Sequence, residues 1–262
     1  MLMADKKAYH PNGSAFIEFL EGPHSYIDNM GVRYLSCTSF CGQFFPKFDA
    51  KTMSRKCADG KNPKYAGRTP WDIRNEWSAE AERGSSEGDN THMYAEGLIS
   101  GWPREQLPSP ISDRCRALFV QVVRAVTWLL KRFVFVAAEM VIFSPDLGLS
   151  GMVDLVMFDP ATNDVLILDW KQNKKITRQG FRGETALAPI DHLQASDISK
   201  YGLQLSTYQY ILDREGYFPV NAGYRRALIH LTPENFHIIS LDFYDYEIQL
   251  MLKRIGATNV KK

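Results

Sequence analysis

The sequence predicts an α/β domain: a central mixed β-sheet flanked by helices, with a helical arm on the N-terminal side. Three observations predict it. The segment VLILDWK (165–171) is apolar on both faces through Leu168, the pattern of a strand buried on both sides. Residues 113–131 carry Leu118, Val122, Ala125, Val126 and Leu129 near the spacing of one helix face. The order along the chain is helices, then strands, then a helix, two strands and a last helix, which fits a mixed sheet.

The first dozen residues read as loose. FIEFLEGPHSYIDNMGVRYLS (16–36) reads as short strands, with Asn29-Met30-Gly31 as a hairpin turn. The aromatic-dense stretch 40–48 is expected to pack on the core. Residues 51–68 are basic (Lys51, Arg55, Lys56, Lys61, Lys64, Arg68) and read either as a solvated helix and loop or as a phosphate-facing rim. Thr69-Pro70-Trp71-Asp72 starts a helix: Thr caps, Pro fits the first turn and Asp suits the positive end. That helix is expected to end near Arg83, broken by GSSEGDN (84–90), with a second helix at 91–99. Residues 102–112 are Pro-rich and loop-like. Strands follow at 133–143, up to Phe158, and from Val165 after the turn DPATN. Residues 172–197 look irregular and are expected to form a mobile loop. A helix at 199–214, strands within 224–231 and 236–243, and a helix at 244–255 complete the chain.

The chain has 262 residues, 45% apolar and 23% charged, an ordinary globular composition that suits one large domain or two small ones. We read it as a single domain, with strands and helical arm in 1–112 and the core in 113–262. No apolar run of about 18 residues predicts a membrane span. The start carries no apolar signal-like region, so an intracellular protein is expected. Cys37, Cys41, Cys57 and Cys115 form no paired CxxC set and are expected to be reduced. A net charge of +1 does not announce a nucleic-acid binder, so local clusters carry more information than the total.

The chemistry concentrates in 139–175. Asp154 sits inside VDLVMF, and Asp169 and Lys171, two apart, share one face of their strand. Unpaired charges are costly in such strands. Asp154 alone reads as a solvated or turn-capping residue, and Asp169 with Lys171 reads equally as a structural ion pair. Together they also suit a hard divalent ion, Mg²⁺ or Mn²⁺, which takes oxygen ligands: two carboxylates and the Trp170 main-chain carbonyl. Lys171 then orients or helps deprotonate a water and offsets charge on a phosphoryl transition state. This chemistry suits phosphodiester hydrolysis.

Gly151-x-x-Asp154 followed by Asp169-x-Lys171 resembles the core of the PD-(D/E)xK nuclease superfamily, and Asp-Trp-Lys resembles its RecB-like, lambda-exonuclease-like branch. The literal Pro145-Asp146 lies in a turn-rich segment and is set aside in favour of Asp154. Gln204-x-x-x-Tyr208 is similar to the branch's Q-x-x-x-Y helix, which the resemblance places beside the active site and in contact with the substrate strand. Without the resemblance, a surface Gln above a core Tyr is the plainer reading. Thr91-His92-Met-Tyr-Ala-Glu96 resembles the helix in which the branch places a metal-binding His, with Glu96 as a support. The family's Gly-Thr before that His is spaced differently here. Glu139 falls where the branch often has a Glu, as a metal ligand or an exposed strand residue. HSYIDNMGVRYLSCTSFCGQFFPKFD (24–49) resembles the entry segment of phage and viral members. The resemblance implies a restriction-endonuclease-like core and a metal-dependent DNA exonuclease of recombination, repair or replication. No cysteine follows Cys115, so no iron–sulfur cluster is expected.

Lys174, Lys175, Arg178 and Arg182 follow the strand and read either as a solvated run or as a sequence-independent phosphate contact. Phe181, Trp71, Trp77 and Tyr201 are candidates for stacking on unpaired bases, or for the core. Three alternatives stay open: an endonuclease on flaps, single strands or RNA; a nucleic-acid-binding protein without turnover; and a buried structural ion network. Strand polarity, DNA versus RNA and oligomeric state are not read from the sequence.

Overall fold

A computed structural model describes residues 6–20, 22, 25–60 and 62–256. His24 and Lys61, named above, lie outside the described residues. Among the described residues nine strands form one mixed sheet: β1 (Lys6–Tyr9), β2 (Phe16–Leu20), β3 (Ser25–Asp28), β4 (Arg33–Ser36), β5 (Val134–Ser144), β6 (Leu149–Asp159), β7 (Asp164–Lys171), β8 (Gly223–Leu231) and β9 (Phe236–Leu241). The order is β1-β2-β3-β4-β6-β7-β8-β9, and β5 pairs with β6. The β4–β6 and β7–β8 pairs are parallel and the others antiparallel. The helices are α1 (Cys37–Gly42), α2 (Ala50–Ala58), α3 (Pro70–Ile99), α4 (Asp113–Leu130), α5 (Asp197–Arg214) and α6 (Asp245–Ile255).

Alternation along β7 divides the core into two layers. Val165 and Ile167 join a cluster with α1, α5 and α6, built on Phe40, Leu203, Ile211 and Leu252. Leu166, Leu168 and Trp170 join a second cluster with Leu118, Val122 and Val126 of α4 and Ala95 of α3. By the same alternation Asp169 and Lys171 emerge on the α1/α5 side.

The placement of β6 creates the site. Residues 149–153 and 155–158 of β6 pair with β5 along one edge. The opposite edge is shared: β4 pairs with Leu149 and Ser150, and β7 pairs from Leu155 to Asp159. Residues 151–154 lie in the fork between β4 and β7, free of ladder bonds to either.

The structure corrects three expectations. The N-terminus is not loose from Lys6 onward, since β1 pairs with β2. His10 Nε2 lies 3.1 Å from Glu215 Oε2, and Asn12 Nδ2 donates to the Glu215 carbonyl at 2.6 Å. Four residues reading KKAY carry too little alternation to announce that strand. Second, the break at 84–90 is absent: α3 is one helix of 30 residues. The two glycines of that stretch, Gly84 and Gly88, cost about 1 kcal/mol each against alanine. Tertiary contacts offset this through a stripe of Glu87, Thr91 and Ala95 buried at i, i+4 spacing. The start of α3 is as read, with a capping box between Thr69 and Asp72. Third, residues 172–197 pack as a shaped loop. Ala186 and Ile190 are buried in it, and Leu187 N–H donates to the Phe44 carbonyl at 2.8 Å.

The hairpin turn at Asn29-Met30-Gly31 is present, with Gly31 at φ 80°. Asp28 holds it, accepting from the Met30 and Val32 N–H groups at 2.9 and 2.8 Å. In the basic stretch, Lys64 and Arg68 both pair with Glu76 of α3, while Lys51, Arg55 and Lys56 are exposed on α2. Among the described residues no helix is long and apolar enough to cross a membrane.

Candidate active site

The fork opens on a cleft of about 590 Å³ lined by His92 of α3, Glu139 of β5, Gly151 and Asp154 of β6, and Gln204 and Tyr208 of α5. One ligand atom each from His92, Glu139 and Asp154 lies within 4.8 Å of the others. Residues 47 and 62 positions apart meet because α3 crosses the fork and β5 lies along β6. Glu139 has a left-handed backbone, φ 48°. A non-glycine residue in that region is strained by about 1 kcal/mol or more, and such strain gathers at functional sites.

The ends of the strands are tied to these side chains. Past Leu168 the Trp170 N–H has no ladder partner on β6 and donates to Asp154 Oδ2 at 3.0 Å. His92 Nε2 lies 3.0 Å from the Trp170 carbonyl, and His92 Nδ1 lies 3.3 Å from Asp154 Oδ2. A carbonyl only accepts, so Nε2 must carry the hydrogen of that bond. In the neutral ring Nδ1 then faces Asp154 as acceptor against acceptor. Either a second proton or a cation between them resolves the contact, and the donor set of one imidazole and two carboxylates fits a divalent cation.

Asp169 is 2% exposed and ion-paired with Lys171. Its Oδ2 nevertheless accepts no hydrogen bond of good geometry among the described residues. Burial, reinforced by the Asp154 charge, outweighs Lys171 and His92 and pushes the Asp169 carboxyl up to about 6. Burial would lower the Lys171 ammonium, but the Asp169 and Asp154 carboxylates outweigh it and hold the lysine above its usual range, charged. The Lys171 ammonium also lies 4.9 Å from the centre of the Tyr201 ring.

Gln204 Nε2 donates to the Tyr208 hydroxyl at 2.9 Å, so the two residues act as a unit on one helix face. Tyr208 is 3% exposed, and burial holds its phenol well above the usual range. Gly151 makes room for it: a Cβ there would lie 2.5 Å from the Tyr208 ring and 3.2 Å from Cys37 Sγ. Gly151→Ala is therefore expected to lower stability by about 1–3 kcal/mol, as overpacking does, and to displace the Gln204–Tyr208 pair. An unchanged melting temperature would show that the ring gives way without cost.

Some site features lay outside the sequence reading. Tyr26 of β3 lines the cleft; burial, with Cys37, Glu139 and Asp154, holds its phenol above the usual range. Glu87 accepts from Ser112 Oγ at 2.8 Å and from Arg114 Nη1 at 2.9 Å, while Arg114 Nη2 donates to the Gln172 carbonyl at 2.5 Å. This network clamps the residue after Lys171 onto α3, one turn before Thr91 and five residues before His92. A buried Glu four residues before Thr91 is its one trace in the sequence.

The basic run divides. Lys174 lines a second groove of about 850 Å³ with Trp77, Arg83 and Arg114. Lys175 and Arg178 are exposed and line neither groove. Trp71 and Phe181 are each 64% exposed. Asp146 lies in the β5–β6 turn, exposed and paired with Arg214 at 3.3 Å.

A mixed sheet flanked by helices, opening over an Asp, a buried Asp and a Lys, is a restriction-endonuclease-like core. The family model of the PD-(D/E)XK nuclease superfamily matches residues 57–242, a span holding every residue of the cleft from His92 to Tyr208. The chain belongs to the PD-(D/E)XK nuclease superfamily, whose members are typically nucleases that use divalent metals. No curated protein matches it.

Proposed function

We propose that this chain is a Mg²⁺- or Mn²⁺-dependent DNA exonuclease of the RecB-like, lambda-exonuclease-like branch, of phage or viral type, serving recombination, repair or replication. The whole chain acts as one nuclease domain, with 113–262 as its catalytic core. The observation that carries the reading is the convergence of His92, Glu139 and Asp154 within 4.8 Å beside the Asp169–Lys171 pair.

In this reading His92, Glu139, Asp154 and Asp169, with the second lone pair of the Trp170 carbonyl, hold the cation. A divalent cation there supplies Lewis acidity, polarising the scissile phosphate and acidifying water. Lys171, held charged, donates a hydrogen bond to the attacking water and offsets the charge that builds on the phosphoryl oxygens. Gln204 and Tyr208 position the substrate strand. Lys174, Lys175 and Arg178 contact phosphates without reading bases.

The test is cleavage of end-labelled linear and covalently closed circular DNA with Mg²⁺ or Mn²⁺. Nucleotide release from linear DNA with circles left intact is the expected result. Cut circles favour the endonuclease reading, on DNA or RNA; tight binding without cleavage under any metal overturns both.

A pH dependence follows from Asp169. Its carboxyl must be ionised to bind a cation, and in the free protein it takes up a proton below about pH 6. Below that pH metal binding releases the proton, and the Asp169 carboxyl is expected to lower Mn²⁺ affinity by about tenfold per pH unit. Calorimetric titration from pH 5 to 7.5 checks this. A flat profile removes Asp169 from the ligand set.

A further inference from the structure

Beside the catalytic cleft lies a smaller, mostly apolar pocket of about 310 Å³ between α1 and α5. Cys41, Phe45 and Pro46 form its apolar part. Lys47 and Lys200 stand at its rim, both exposed, with the Lys200 ammonium 5.4 Å from the centre of the Phe45 ring. Its other wall is Tyr201 and Gln204, one turn apart on α5. Each of these two also faces the active site: Tyr201 lies under the Lys171 ammonium, and Gln204 lines the catalytic cleft. Thr38 lines both cavities as well.

We propose that this pocket receives one unpaired nucleobase of the substrate strand, that of the nucleotide next to the phosphate being cut. The inference rests on the nuclease reading and adds to it that the strand is unpaired where it is cut. Three features select this occupant. The walls are flat aromatic and apolar surfaces, which accept the face of any base. The Gln204 amide is a polar group able to reach a base edge. The two lysines sit where the flanking phosphates of a base held in the pocket would emerge, giving a salt-dependent contact. A pocket of about 310 Å³ between two helices suits a single base rather than a base pair. Continuity with the cleft through Thr38, Tyr201 and Gln204 fixes which nucleotide it is: the one whose phosphate lies next to Lys171.

Gly42 offers a way to close the pocket without touching the catalytic residues. It lines the pocket at the end of α1, and a Cβ placed on it meets no atom within 4 Å. Gly42→Phe therefore has room to fold and adds a ring to the pocket's lining. The experiment scans a single-stranded oligonucleotide carrying one fluorescent 2-aminopurine at each position in turn. It is bound to the full chain in EDTA, so that no cleavage intervenes. One position is expected to show a change of emission that its neighbours lack, and Gly42→Phe is expected to abolish it. Replacing the base at that position by an abasic residue is expected to weaken binding about tenfold for the wild type, within the range of base–aromatic stacking, and not at all for Gly42→Phe. No position-specific change, a change that persists in Gly42→Phe, or an equal change with the base in a fully paired duplex each overturns the proposal. The two readings fail separately. Emission change without cleavage in Mg²⁺ or Mn²⁺ sinks the nuclease and leaves the base pocket. Cleavage without emission change sinks the pocket alone, and failure to bind any oligonucleotide sinks both.

Discussion

Lys171→Met is expected to lower cleavage of labelled linear DNA by about 100- to 1,000-fold, the usual loss when one donor to a developing oxyanion is removed. The methionine keeps the apolar stem of the lysine and removes the ammonium, with its charge and its donors. Its neighbours dictate a second effect. Asp169 is 2% exposed and Lys171 is its ion-pair partner, so the single variant leaves a buried carboxyl beside the charge of Asp154. Removing one partner of a buried pair costs about 3–5 kcal/mol. The double variant Asp169→Asn/Lys171→Met removes both charges and is expected to recover most of that stability while staying inactive. Thermal melts of the three proteins beside their cleavage rates separate the two roles. Wild-type cleavage by Lys171→Met would end the catalytic assignment. Recovery of activity in the double variant would mean that the single loss reflected stability alone.

How far the sequence could be read depended on the range of the interactions concerned. The strand β7 was legible because its pattern is local: an apolar run through Leu168 and then Asp-Trp-Lys places two charges on one face, and the structure puts that strand between β6 and β8. The hairpin turn, the helix start at Thr69-Pro70-Trp71-Asp72 and the helix in 113–131 were legible for the same reason. The continuity of α3 was not. Gly84 and Gly88 weaken a helix locally, and what holds it is remote: Glu87 meets Ser112 and Arg114, and the Gly84 carbonyl accepts from Gln172. The fork at 151–154 is a matter of sheet order, which strand patterns do not specify. Gly151 was noticed for its spacing from Asp154, but the close approach of Tyr208 that requires a glycine there spans 57 positions. Likewise no local pattern announces that Glu139 takes a left-handed backbone at the mouth of the cleft.

Asp154→Asn is expected to abolish both cleavage and metal-induced stabilisation while leaving the fork in place. Asp154 has two jobs in the structure that the substitution separates. Its Oδ2 accepts the Trp170 N–H that the β6–β7 ladder leaves unpaired, and an asparagine oxygen accepts that bond equally well. Its negative charge faces His92 Nδ1 and belongs to the group with Glu139, and asparagine does not supply that. In the wild type, Mn²⁺ at one hundred times its dissociation constant is expected to stabilise the fold by about 2.7 kcal/mol through mass action. The variant should melt at the same temperature with and without Mn²⁺. Its metal-free melting temperature should equal or exceed that of the wild type, because a like charge beside the buried Asp169 has gone. Asp154→Ala provides the contrast: it loses the metal response and also leaves the Trp170 N–H without its acceptor, a further cost of about 1–3 kcal/mol. An undiminished Mn²⁺ shift in Asp154→Asn would move the cation out of the fork and leave His92, Glu139 and Asp154 as a structural cluster.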